Sequence, residues 1–268
     1  MKPGSKAILV VSFGTTFKET CTKTIEAVES QVAAAYPDWD VRRAFTSKMV
    51  IRKLAERDGV KIDHITDALE RLVSEGKRTV VVQPTHVVNG VEHESTVRAV
   101  SECADKFDSI SIGKPLLTAN DDYDLAVGAI ASTFIKEAHK KFGNQAAIVL
   151  MGHGTEHFAN SSYCQLQMKL LLSGYPDVYV TTVEGFPNFE DTITLMKDKN
   201  YKDVVLFPFM LVAGDHAIND MAGDGEDSLK SVMEKHGYKA HCVLKGIGEY
   251  KEFRDLFLAH TEDAVRSL

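Results

Sequence analysis

The chain has 268 residues, 44% of them hydrophobic, with a formal net charge of −7 and a pI near 5.8. This length suits one large or two small α/β domains with ample core, and the acidic balance argues against a nucleic-acid partner, which wants a basic face. The apolar runs are too short for a transmembrane helix, so no membrane partner is expected.

The amino terminus, Met1-Lys2-Pro3-Gly4-Ser5-Lys6, lacks the apolar core of a signal peptide and leads straight into a strand. A cytoplasmic location is expected, or a periplasmic one if an export signal has been removed. Strands and helices then alternate. A strand at 7–12 precedes a helix at 17–35, and a strand at 40–45 precedes helices at 47–56 and 65–75. Strand 79–83 leads to helix 94–106, and strand 109–112 to a long helix at 123–141. The second half restarts with strand 146–151 and helix 158–172, then strand 177–183 and helix 189–197. Strand 203–207, helix 226–236, strand 240–244 and a closing helix at 250–266 complete the chain. Such alternation means parallel sheets with helices on both faces. The fold class expected is α/β: two similar domains, each a parallel sheet flanked by helices, at 1–120 and 121–268. A closing helix within 250–267 would pack back on the first. Cys21, Cys103, Cys164 and Cys242 are far apart and form no CxxC, as reduced thiols would be.

The two halves resemble each other. Ala7 to Thr15 matches Ala147 to Thr155 at an offset of 140, Tyr36-Pro37-Asp38 matches Tyr175-Pro176-Asp177 at 139, and Pro84 to Gly90 matches Pro208 to Gly214 at 124. On those offsets Phe13 corresponds to His153, Phe45 to Glu184 and Glu92 to His216. The second half thus offers His153, Glu184 and His216 after three parallel strands. The first offers Phe13, Phe45 and Glu92. In open α/β sheets ligands lie beyond the carboxyl ends of the strands. A cleft between the halves is expected to bind something flat beneath a charged centre.

Two histidines and a carboxylate suit a divalent transition metal with open coordination positions. Each candidate has a plainer alternative. His153 lies between Gly152 and Gly154 on a tight turn, and His216 follows Gly214-Asp215, where little apolar context would bury it. Glu184 is either a ligand or a buried hydrogen-bonded carboxylate, and Glu92 either acts chemically or favours a helix dipole. His157 and His93 are lesser candidates. His93 is most simply exposed at a helix start, the alternative being a surface contact to a metal or to a tetrapyrrole such as haem. Ser12-Phe13-Gly14-Thr15-Thr16 has the makings of an anion-holding loop. Lys48, Arg52 and Lys53 would anchor substrate carboxylates, or form a solvated helix face. GxxxxGK[ST] and strand-borne GxGxxG are both missing, so no nucleotide cofactor is expected.

Val10-Val11-Ser12-Phe13-Gly14-Thr15, Ala44-Phe45-Thr46-Ser47 with Ile51-Arg52-Lys53-Leu54, Met151-Gly152-His153-Gly154 and the run from Leu211-Val212-Ala213-Gly214-Asp215-His216 to Ala217-Ile218-Asn219-Asp220-Met221 carry a family resemblance. The chain resembles the anaerobic-pathway sirohydrochlorin cobaltochelatases, class II chelatases related to the protoporphyrin ferrochelatases. The resemblance implies two α/β domains about a cleft. It also implies ATP-independent insertion of Co²⁺ into sirohydrochlorin on the way to cobalamin. It places metal-binding and catalytic roles on His153 and His216 and active-site carboxylates on Glu92 and Glu184.

Metal insertion requires two pyrrole N–H protons to leave, a metal stripped of water, and a macrocycle bent out of plane. His153, with Glu92, suits general-base work. His153, Glu184 and His216 suit the metal. Ser12, Phe13, Thr15, Phe45, Lys48 and Arg52 are the expected substrate contacts, the two aromatics flanking the ring. Competing readings are insertion of Fe²⁺ or Ni²⁺, a non-catalytic metal or tetrapyrrole carrier, and a hydrolase or mutase with a His153 nucleophile. The last lacks the flanking Arg of a phosphohistidine enzyme. Monomer and homo-oligomer both remain open.

Overall fold

The computed structural model describes residues 4–143 and 145–268; residues 1–3, where a leader was sought, lie outside the described residues. Two compact units emerge. One runs to Thr118 and takes in Arg254–Leu268, and the other is Ala119–Phe253.

The first unit holds β1 (Lys6–Ser12), β2 (Asp40–Phe45), β3 (Thr79–Pro84) and β4 (Ser109–Ile112) in the order β2-β1-β3-β4, all parallel. The run Ala7-Ile8-Leu9-Val10-Val11 is apolar without alternation because both faces of β1 are covered. Its helices are α1 (Lys18–Lys23), α2 (Ile25–Ala35), α3 (Lys48–Asp58), α4 (Ile65–Ser74) and α5 (Val91–Ser101). Ile65, Leu69 and Leu72 of α4 bury one face against Leu9, Val11, Val80 and Val82.

The helix expected at 17–35 is two helices. Thr24 leaves helical geometry at φ −121°, ψ −77°, and its hydroxyl donates to the Thr20 carbonyl at 2.6 Å. A buried Thr that bonds back to the preceding turn competes with the helix ladder. The helix expected at 94–106 instead begins at Val91, so Glu92 stands in its first turn.

The second unit repeats the plan with β5 (Ala147–Gly152), β6 (Val178–Thr182), β7 (Asp203–Pro208) and β8 (Lys239–Cys242), ordered β6-β5-β7-β8 and parallel. A π turn at Ala131–Ile135 joins α6 (Asn120–Ile130) to α7 (Lys136–Phe142). Then come α8 (Ser161–Leu172), α9 (Phe189–Met196) and α10 (Leu229–Lys235), the last capped by Ser228 rather than starting near 226. Phe134 stacks on Phe207 at 4.7 Å and anchors this core. The closing helix, α11 (Lys251–Arg266), carries the chain back to the first unit. There Gln31 donates to Asp255 at 2.7 Å and Ser111 to the Ala264 carbonyl at 2.7 Å.

Strand register corrects one of the pairings drawn between the halves. Val11 lies opposite Pro84 and Met151 opposite Pro208, which keeps the offset of 124 and the match of Glu92 with His216. Ser12, however, lies opposite Phe45, and Gly152 opposite Thr182. Phe45 therefore corresponds to Thr182, and Glu184 to Ser47. The main chain agrees: Ser47 N–H donates to the Phe13 carbonyl at 3.2 Å, and Glu184 N–H to the His153 carbonyl at 2.8 Å. The slip arises in the turn before the second strand. Tyr36-Pro37-Asp38 continues through Trp39-Asp40 to Val41, whereas Tyr175-Pro176-Asp177 runs directly into Val178.

His86, just past β3, keeps some side-chain surface, but neither of its ring nitrogens reaches solvent or a partner; Nδ1 of His93 is likewise buried and unpartnered. Burial pushes the His86 imidazole down to about 4 from 6.5, and the neighbouring His93 adds to the shift. The unfolded chain thus takes up this proton near 6.5 while the folded chain refuses it. His86 contributes full stability above that value, lost progressively as pH falls toward 4. The melting temperature is expected to fall less in His86→Leu than in wild type between about pH 7 and about pH 4.5. Equal falls in thermal melts would show that the imidazole is not the group taking up the proton.

Candidate active site

His153 is the first residue beyond β5. Gly152 and Gly154 flank it for different reasons. Gly154 has φ +82°, and a Cβ there would sit 2.8 Å from the Glu184 carbonyl carbon, Gly185 N and Thr182 Cβ. Only glycine lets the loops after β5 and β6 approach this closely. The β5–β6 pairing continues beyond both strands, with Val183 N–H on the Gly152 carbonyl at 3.2 Å and Glu184 N–H on that of His153 at 2.8 Å. Asn160 clamps the two loops. Its Oδ1 accepts from Thr155 N–H at 3.1 Å, and its Nδ2 donates to the Phe186 carbonyl at 2.6 Å.

His216 comes from the loop after β7. Ile247 N–H donates to the Met210 carbonyl at 2.9 Å and Gly248 N–H to that of Leu211 at 3.1 Å, which holds the run leading to Gly214. Helical turns then begin and pass into a π turn at Ala217–Met221. His216 and His153 meet edge to face, ring centroids 4.6 Å apart and planes at 87°.

Hydrogen bonds decide the tautomers. His153 Nδ1 lies 2.9 Å from the Gly154 carbonyl, which only accepts, so Nδ1 carries the proton. His216 Nδ1 lies 2.6 Å from Asp220 Oδ2 and likewise donates. Both rings are left with the Nε2 lone pair for a metal or a proton. Glu184 Oε2 stands 3.8 Å from His153 Nδ1, on the side already bonded to Gly154, and the Glu184 side chain is 60% exposed. Among the described residues no three His, Cys, Asp or Glu side chains converge on one point as placed.

Residues 6–266 match the family model described as cobalt chelatase (CbiK). The chain belongs to the cobalt chelatase family. It is 40% identical over 260 residues to the sirohydrochlorin cobaltochelatase of Salmonella typhimurium, covering 97% of this chain and 96% of that one. It is 33% identical over 267 residues to the sirohydrochlorin cobaltochelatase CbiKC of Nitratidesulfovibrio vulgaris, covering 98% and 92%. Among solved structures, SirB from Bacillus subtilis with Fe³⁺ shares the fold at a TM-score of 0.65 and 17% identity, covering 98% of this chain and 96% of that one.

In this cobalt chelatase chain the expected residues fall into separate groups. His153, Glu184 and His216 come together on the second unit. Glu92 stands on the first, in the opening turn of α5. Lys48 and Arg52 line an open groove of the first unit with Ile51, His64, Thr66 and Asp67. Phe13 is exposed beyond β1, but Phe45 is only 1% exposed and its ring lies under Gly14. Phe45 is a core residue there and offers no face to a ligand. Ser12 and Thr15 are buried, and their hydroxyl oxygens accept from Thr85 Oγ1 at 2.8 Å and Phe17 N–H at 3.2 Å. Those two hydroxyls serve the loop itself. Asp220, on the Nδ1 of His216 at 2.6 Å, is a further site residue, not among those expected from the sequence. The signal was its spacing of four from His216, one helical turn.

Gly154→Ala meets both a left-handed φ and a filled space, so it should destabilise by at least about 1–3 kcal/mol. Gly174→Ala is the control, since φ is +87° there with open space around it. Urea unfolding should show the larger loss at 154; equal losses would mean that the close approach of the two loops is immaterial.

Proposed function

We infer that this protein inserts Co²⁺ into sirohydrochlorin, exchanging two pyrrole N–H protons for one divalent cation. The exchange is charge-neutral, and no nucleotide is assigned a part in it, as the family resemblance implies. The observation that carries the reading is the pair of imidazoles that both present a free Nε2, within a family of cobalt chelatases.

His216 holds the incoming Co²⁺ through Nε2, and Asp220 keeps its ring in the metal-binding tautomer. Glu184, exposed and unconstrained at its carboxylate end, swings in as a further ligand. His153 shares the ion and accepts a pyrrole proton at Nε2 as ring nitrogens replace protein ligands. Glu92, equivalent in register to His216, accepts the second proton. Lys48 and Arg52 pair with substrate carboxylates, and Phe13 offers its ring to the macrocycle. An ion that must be handed on is better held by few, movable ligands than by a closed cage. No helix among the described residues is long and apolar enough to cross a membrane. We place the reaction in the cytoplasm, on a soluble tetrapyrrole.

Imidazole and carboxylate do not by themselves separate Co²⁺ from Fe²⁺ or Ni²⁺. The test is anaerobic incubation with sirohydrochlorin and each metal, followed by visible absorbance. The expected outcome is a protein-dependent spectral change fastest with Co²⁺ and slowed about 10²–10⁴-fold in His153→Ala. Faster Fe²⁺ insertion would turn the assignment to sirohaem formation, and ring binding without acceleration would leave a carrier. Asp220→Ala should weaken Co²⁺ binding about 10–100-fold in titration calorimetry. Unchanged affinity would remove Asp220 from the metal site.

A further inference from the structure

The aromatic partners expected for the macrocycle both lie in the first half, and Phe45 is core. Exposed aromatic surface is found elsewhere. The chain has thirteen phenylalanines, and four of them are exposed: Phe13, Phe17, Phe158 and Phe186. All four follow the carboxyl end of a strand, Phe13 and Phe17 after β1, Phe158 after β5 and Phe186 after β6. Ligands of open α/β sheets lie on that side. Phe158 is 79% exposed and Phe186 59%, on the two loops that carry His153 and Glu184. Apolar side chains scattered singly over a surface are ordinary, but gathered beside one site they mark a binding surface.

Neither ring sits on a slack loop. Phe158 opens a short helical turn, Phe158–Asn160, capped by His157, whose Nδ1 accepts from Ala159 N–H at 3.2 Å. The Ser161 hydroxyl donates to the Phe158 carbonyl at 2.9 Å, and the His157 ring backs that of Phe158 with centroids 4.0 Å apart. The Phe186 carbonyl accepts from Asn160 Nδ2 at 2.6 Å, and a Cβ on Gly185 would overlap Asn160 Oδ1, so the second loop is drawn against the first. Asn160 Oδ1 also holds Thr155 N–H, two residues past His153. One side chain thus ties the backbones bearing both phenylalanines to the turn of His153. Rings held open on fixed backbone lose little freedom when a flat ligand settles on them. We propose that Phe158 and Phe186 contact the tetrapyrrole macrocycle on the second unit, beside the metal-binding imidazoles, and supply the aromatic surface that Phe45 does not. The proposal rests on the reading of this site as one that inserts metal into such a ring.

Both side chains lie largely in solvent, so replacing them should leave the melting temperature nearly unchanged. Metal-free sirohydrochlorin is titrated anaerobically into the full chain and followed by visible absorbance, and Co²⁺ binding is measured separately by calorimetry. Phe158→Leu and Phe186→Leu should each raise the Kd for the ring about 3–10-fold, with Phe158→Tyr and Phe186→Tyr close to wild type and Co²⁺ affinity unmoved. Steady-state insertion by the Leu variants should show a raised KM at nearly unchanged kcat. Leu172→Ala, which alters a comparably exposed side chain at the far end of α8, is the control and should bind the ring as wild type does. An unchanged Kd in both Leu variants overturns the proposal. An equal loss in the Tyr variants, or a parallel loss of Co²⁺ affinity, overturns it too, because disturbed loops would then account for the effect. Should the wild-type protein bind the ring without accelerating insertion, the function assigned to the site fails, while the titrations still decide whether the two phenylalanines hold the ring.

Discussion

The hydrogen bond from Glu184 N–H to the His153 carbonyl, one rung past the end of two parallel strands, is the constraint on which the site depends. Parallel strands in a sheet normally part company where they end, and their loops diverge. Here they remain paired because Gly154 removes the side chain that would separate them. The cost is a left-handed backbone; the return is that an imidazole and a carboxylate from different strands share one side of the sheet edge. Asn160, through its side-chain amide, and the run 246–248, through main-chain bonds, then fasten the neighbouring loops. Chemistry carried on loops gains the definition of the strands beneath them.

The two histidines reach the same electronic state by different means. His153 gives its Nδ1 proton to a carbonyl and His216 gives its own to a carboxylate. The two rings thus differ in the partner of Nδ1, a carboxylate for His216 and a carbonyl for His153.

Much of this was legible from the residues. Uninterrupted apolar runs such as Ala147 to Met151 marked strands buried on both faces, and the loops that follow them marked where chemistry would gather. Glycines around His153 signalled a special turn. Other features depended on contacts far along the chain. Phe45 reads as an aromatic available at a strand end, and only the fold shows Gly14 lying over it. The break at Thr24 turns on a single hydroxyl choosing the backbone behind it. The pairing of Glu184 with Phe45 failed for a visible reason: the halves were aligned on a turn, and two residues are missing between that turn and the strand.

The correspondence of Ser47 with Glu184 bears on how such a site arises. In the first half this position caps a helix, its hydroxyl accepting from Val50 N–H at 3.3 Å. In the second no helix begins there, and the same backbone position carries an exposed carboxylate 3.8 Å from His153 Nδ1. Both halves share the sheet order and the rung beyond the strands, so the scaffold is indifferent to which copy holds the ligands. The two halves differ at positions 13, 47 and 92 against 153, 184 and 216, on the same backbone plan. For the first half to acquire the carboxylate it would forfeit a helix cap, about 1 kcal/mol. In the second half Glu184 caps no helix, so its carboxylate is carried without that cost to the fold.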